Sequence, residues 1–122
     1  MVKYNSILKD VKAVLKQTEI PIETGIFSKK APDEYLVITP MSDVFELFAD
    51  NLPQHEIQEA RLSLFSKRNY MERKNEVVDL LMAADFTISD RRYVGFERDT
   101  GYHHFSIDVA KEYEMNFIME GE

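Results

Sequence analysis

The chain reads as an α+β domain in which two helices lie on one face of a small, largely antiparallel sheet, in the order α-β-β-β-α-β-β. Three observations predict this. Near the N-terminus Tyr4, Ile7, Leu8, Val11, Val14 and Leu15 recur at three- and four-residue steps, the period of an amphipathic helix. A second helical period begins after Ser66-Lys67-Arg68-Asn69. The remaining apolar residues alternate or cluster as strands do, and Arg98-Asp99-Thr100-Gly101 supplies a hairpin turn. Helices separated from strand runs in this way segregate to one side of an antiparallel sheet.

The first helix is expected to run for about four turns, with Lys3, Lys9, Asp10, Lys12 and Lys16 mostly on its outer side. Pro21, Gly25 and Pro32 then punctuate a connection in which Ile20, Ile22, Ile26 and Phe27 can supply an edge strand. Glu34–Thr39 is a dense run of β-favouring residues, read as a strand buried on both faces and stopped by Pro40. A second, less regular strand covers Asp43–Ala49. In the third, Gln54–Phe65, the residues Ala60, Leu62 and Leu64 share one face while Glu59, Arg61 and Ser63 share the other.

Asn69 can cap the second helix, and Glu72 can return the bond as a capping box. Tyr70, Val77, Val78, Leu81 and Ala84 form the buried stripe of that helix, with Met71 and Leu80 at its margins. Phe86, Ile88, Tyr93, Val94 and Phe96 carry the next strand across a bulge at Ser89–Arg92. In the last strand His103, Phe105, Ile107 and Val109 alternate with Tyr102, His104, Ser106 and Asp108. Residues 1–112 are thus expected to form one domain, and residues 113–122 an acidic C-terminal tail that can be flexible.

Length and composition narrow the function. With 122 residues, 44% of them hydrophobic and 30% charged, one ordered domain can bury its own core without a cofactor. The absence of cysteine removes disulfides and thiolate metal sites and fits a reducing cytoplasm. The first residues interleave charges with apolar groups, so they form neither a signal-peptide core nor a membrane span. A formal charge of -7 argues against a protein whose main task is to grip phosphate backbones.

No catalytic constellation emerges. His103, His104 and Asp108 form the one cluster of metal-ligand types, but neighbours in a strand face opposite ways, so the two imidazoles do not converge on one ion; His103 is expected near the core and His104 at the surface. The chain lacks a nucleophile elbow and a glycine-rich phosphate loop, and its carboxylate pairs read as solvation. No metal, cofactor or enzymatic activity is expected. Cations gather in two places, Lys67, Arg68, Arg73 and Lys74 at the start of the second helix and Arg91, Arg92 and Arg98 around the bulge. On an acidic protein these suit pairing with acidic surfaces, a neighbouring subunit's included.

Three runs carry a family resemblance: Leu62-Ser-Leu-Phe-Ser-Lys-Arg-Asn-Tyr70 with the Glu- and Lys-bearing helix after it, Leu80-Leu-Met-Ala-Ala-Asp-Phe86, and Glu97-Arg-Asp-Thr-Gly-Tyr-His-His-Phe105. Over roughly residues 34–112 the chain resembles the tail terminator or tail-completion proteins of long-tailed bacteriophages and prophages, small head-tail connection proteins. The resemblance implies a non-enzymatic virion component. It would close as a hexameric ring of identical subunits on the tail tube protein, stop tube growth and dock the head connector protein, with no membrane and with DNA only as passing cargo. It would reside in the virion tail, and in the bacterial host cytoplasm during assembly. Ser66–Tyr70 and Asp99–His104 match the family's loops, so the candidate subunit or tail-tube interface comprises Lys67, Arg68, Asn69, Arg91, Arg92, Arg98, Asp99 and His104. The rival expectation is a small cytoplasmic binding module that uses an exposed sheet face; an enzyme ranks third.

Overall fold

Ser6 and Asn69 start the two helices by the same device. The structure, a computed structural model, describes residues 2–3, 5–25, 30–49 and 52–117, with only the backbone described at 2–3, 46–49, 52–54 and 116–117. Helix α1 (Ile7–Leu15) opens where Ser6 Oγ accepts the Lys9 amide at 3.2 Å. It is shorter than its apolar period suggests. A 3-10 turn, Lys16–Thr18, takes over, and Glu19 at φ 64° turns the chain away. Tyr4, Ile26 and Phe27, assigned from the sequence to this helix and the connection after it, lie outside the described residues.

Helix α2 (Tyr70–Ala83) begins where Asn69 Oδ1 accepts the Glu72 amide at 3.1 Å. The return half of the capping box is altered, because Glu72 Oε2 accepts from the Asn69 side-chain amide at 3.4 Å instead of the backbone. The helix stops in a Schellman turn. Asp85 adopts φ 67°, its amide reaches Met82 O at 3.2 Å, and the Phe86 amide reaches Leu81 O at 3.0 Å. Phe86 is buried, which seats the turn on the core.

The strands are β1 (Val2–Lys3), β2 (Ile22–Thr24), β3 (Glu34–Ala49), β4 (Leu52–Ser66), β5 (Thr87–Phe96), β6 (His103–Glu114) and β7 (Asn116–Phe117). Five of them form one sheet in the order β2-β3-β4-β6-β5, antiparallel except that β2 runs parallel to β3; β1 and β7 pair as a separate ribbon. The architecture is α+β, two helices against a mostly antiparallel sheet, and the element order is the expected one. Its three strands between the helices are composed differently, however. The connection does form an edge strand, β2, whereas the two strands expected at Glu34–Thr39 and Asp43–Ala49 are a single strand. Pro40 does not stop it. The proline sits at a bulge between Pro40 and Ser42, just past the end of β2, where a missing N–H interrupts no outer ladder.

The chain after 112 also departs from the expected tail. Strand β6 continues to Glu114, Tyr113 and Met115 are buried, and β7 reaches Phe117; residues 118–122 lie outside the described residues. The Tyr113 hydroxyl donates to Asp10 Oδ2 at 2.6 Å, tying β6 to α1. Burial and that carboxylate both push the phenol well above its ordinary range, so it remains a donor at neutral pH.

The core lies between the helices and one sheet face. Leu36 and Ile38 from β3, Ala60, Leu62 and Leu64 from β4, and Ile107 and Val109 from β6 meet Val11, Leu15, Val77 and Leu81, all completely buried. The expected α2 stripe is correct at Val77, Val78 and Leu81, with Tyr70, Leu80 and Ala84 partly buried against it, while Met71 is exposed. Polar groups under α1 are satisfied in kind. Gln58 Oε1 accepts the otherwise orphaned Ile7 amide at 2.8 Å, and buried Glu56 accepts from Asn5 and Gln58 side-chain amides at 3.3 and 3.0 Å. Leu81→Ala should therefore destabilise the fold by about 2–5 kcal/mol, and Met71→Ala by less than about 0.5 kcal/mol, in denaturant titration. Equal effects would mean that α2 is rotated about its axis.

Candidate functional site

Strand alternation divides the sheet into a helix-covered face and an open one. Across the open face, register aligns Tyr35, Phe65 and His104 in one row, Val37, Ser63, Ser106 and Arg92 in the next, and Thr39, Arg61, Asp108 and Asp90 in a third. The first row is aromatic. Phe65 stacks on Tyr35 at 4.8 Å and on His104 at 4.3 Å, and Tyr102 meets Tyr35 edge-on at 5.4 Å. The third row is ionic, with Arg61 bidentate on Asp108 at 2.8 and 3.0 Å. Between them Ser106 is buried and its hydroxyl has no hydrogen-bond partner among the described residues.

The two histidines diverge, as alternation requires. His103 lies on the helix side, its Nδ1 2.9 Å from the Tyr93 hydroxyl and its ring against Tyr70 and Phe96 at 4.8 and 4.9 Å. The sequence reading of their environments is corrected here. Both rings are partly buried, and it is His104, expected at the surface, whose Nε2 is shielded and unpartnered under the Phe65 stack. Among the described residues no three His, Asp or Glu side chains could hold a metal ion.

Six of the eight candidate interface residues gather at one end of the sheet, where β4 leaves and β6 enters. Lys67 places its ammonium 4.8 Å from the Tyr102 ring centroid, Arg68 lies 3.6 Å from Asp33, and Asn69 is committed to capping α2. Arg98 and Asp99 are exposed in the β5–β6 turn, which Gly101 closes at φ 83° with its amide on Glu97 O at 2.7 Å. His104 sits on the open face beside them. Arg91 and Arg92 do not join this group. They lie midway along β5 and point to opposite faces: Arg91 is level with Ile107 and borders a groove formed by Val78, Met82, Phe86 and Ile88, while Arg92 is level with Ser106 and lies 3.8 Å from Asp90. The two cations read together from the sequence are therefore separate, and neither is near Lys67.

A second surface escaped sequence reading. Past Ile38 the outer side of β3 has no strand partner among the described residues, and Met41, Val44 and Phe45 are exposed. The outer side of β5 is equally open, with Tyr93, Val94 and Phe96 about half exposed. The signal for the first was available, since residues 39–59 contain five acids and neither lysine nor arginine.

No protein-family model matches the chain, and no curated protein sequence matches it. Among the solved structures that match, one is similar over 93% of this chain and 90% of its own, at 15% identity and a TM-score of 0.44. A likeness of that degree carries no argument about function.

The environment of His104 has a consequence for stability. Loss of water around the ring lowers its proton affinity, an effect that outweighs the opposing pull of Glu97. The folded state therefore binds the proton less readily than the unfolded chain. Stability is retained above the ordinary value of 6.5 and falls as the pH drops below it toward the lower folded value. His104→Phe keeps the stack without a titrating group, so it should lose less stability than the parent protein between about pH 7.5 and 5.5 in denaturant titrations. Parallel losses would show that His104 is hydrated in the folded state.

Proposed function

We propose that this chain is a non-catalytic phage or prophage tail terminator that caps the tail tube as a homo-oligomeric ring and presents the docking surface for the head connector. The observation that carries the reading is the outer half of the β3–β4 hairpin, an arm whose outer β3 edge has no strand partner among the described residues past Ile38 and whose Val44 and Phe45 are exposed. From Ser42 to Ala49 the arm extends about 25 Å at strand rise, a reach suited to a neighbouring subunit or a tube. Exposed apolar groups beside unpaired strand edges call for a partner. The resemblance of Leu62–Tyr70 and Glu97–Phe105 to tail terminators names the kind of partner. The charge of -7 suits a ring through which DNA slides without being held.

A second reading, a cytoplasmic module that binds a ligand on the open sheet face, draws on the groove lined by Tyr35, Val37, Thr39, Ser63 and Phe65. The two readings separate in one experiment. Purified protein is mixed with tail tubes from a phage lacking its terminator and imaged by negative-stain electron microscopy. A ring on one end of each tube is expected; tubes that stay uncapped would remove the terminator reading.

A further inference from the structure

Among the described residues, two strand edges of opposite charge have no strand partner, β3 past Ile38 and β5. On one side, β3 past Ile38 carries Asp43 and Glu46, with Glu59 beside it on β4, and residues 39–59 contain no lysine or arginine. On the other, β5 carries Arg91 and Arg92; Arg91 makes no ion pair among the described residues, and the nearest carboxylate to Arg92 is Asp90 at 3.8 Å. Resting on the ring reading above, we infer that the ring is built by strand addition, the β5 edge of one copy pairing with the β3 arm of the next.

Charge, strand direction and access all favour a second copy as the occupant. Pairing arm with arm would juxtapose acids, and pairing β5 with β5 would place Arg91 and Arg92 of one copy against the same residues of the other. Only the heterologous pairing opposes the signs, and on a subunit of charge -7 that local attraction offsets the general repulsion. Heterologous contacts generate rings when the rotation closes.

β3 is antiparallel to β4, β4 to β6 and β6 to β5, so β3 and β5 run oppositely within one subunit. Copies set side by side in the same orientation then meet as an antiparallel pair. They also meet with like faces together. Asp43, level with Gln58, and Phe45, level with Glu56, share the helix side with Arg91 and Tyr93, level with Ile107 and Phe105.

Arg92 is level with Val37 through Ser106 and Ser63, and at that level β2 already occupies the β3 edge. An incoming β5 must slide about six residues, roughly 20 Å, to reach Asp43 and Val44. A constant stagger of this kind closes a ring when the strands tilt from its axis, as in barrels. Bulges at Ile88/Asp90 and Tyr93/Gly95 limit the regular β5 edge to Asp90–Tyr93, so each junction is short and assembly is expected to be steeply concentration-dependent.

The test is charge reversal and mixing, read by sedimentation velocity at low salt from micromolar to millimolar protein. One variant carries Arg91→Glu and Arg92→Glu; the other carries Asp43→Arg and Glu59→Arg. Circular dichroism melting confirms that each is folded. The parent protein is expected to form rings, each variant alone to remain monomeric, and a one-to-one mixture of the two to assemble again because each now complements the other. Rings from the parent and from both variants would overturn the edge pairing and leave the terminator reading intact. A mixture that stays monomeric while the parent assembles would do the same. A parent protein monomeric throughout would overturn the ring and the pairing together.

Discussion

The structure depends on the pairing of β4 with both of its neighbours. β4 holds β3 on one side and β6 on the other over nearly its whole length, and its inward residues Ala60, Leu62 and Leu64 are completely buried. The same strand anchors both helices. Gln58 satisfies the first amide of α1, and Ser66, paired level with Glu34, lies where Arg73 of α2 reaches the Glu34 carboxylate at 3.1 Å. A shift of one residue in the β4 register would turn Leu62 and Leu64 to the open face and Arg61 and Ser63 into the core. The burial of leucine on one side and the Arg61–Asp108 fork on the other together exclude that shift.

One-sided packing follows from this hub and explains where free surface remains. Two helices totalling 23 residues, 9 in α1 and 14 in α2, cover one face of the sheet; α1 meets the base of the arm at Gln58, and neither helix supplies a strand partner to the outer edge of β3 past Ile38 or of β5. The open face is partly self-covered by the aromatic row and by Arg61, which leaves the strand edges as the surfaces least served by the subunit itself. Edges of this kind invite association unless blunted, and bulges with charges are the usual blunting devices. Here the bulges in β5 shorten the edge while its arginines remain, an arrangement that discourages indiscriminate pairing and favours one complementary partner.

What was legible in the sequence was local and periodic. The Asn69 cap, the Val77–Val78–Leu81 stripe, the bulge after Ile88 and the turn closed by Gly101 each follow from neighbouring residues, and each is present. What was not legible depends on distant partners. Pro40 reads as a strand stop unless one knows that β2 has ended beside it, and Tyr113 and Met115 read as a tail until α1 is placed to receive the Tyr113 hydroxyl. The fold brings only six of the eight candidate interface residues together, for the same reason. Lys67 and Arg68 share the sheet end with Arg98 and Asp99, whereas Arg91 and Arg92, which adjoin Arg98 in the sequence reading, lie midway along β5 and alternation sends them to opposite faces. The acidic arm was passed over because its meaning lies in an unpaired edge, which is a property of topology and not of composition.

The central claim is that a β4-centred ladder forms the cooperative unit while, among the described residues, the outer edges of β3 past Ile38 and of β5 have no strand partner. Hydrogen exchange of backbone amides in dilute protein tests it most directly. The account predicts that Ala60–Leu64 and Phe105–Val109 exchange slowest and at a common free energy of opening, while outward-facing amides of Ser42–Phe45 and Asp90–Tyr93 exchange orders of magnitude faster. Slow exchange along both outer edges in the dilute monomer, or fast exchange in Ala60–Leu64, would contradict it.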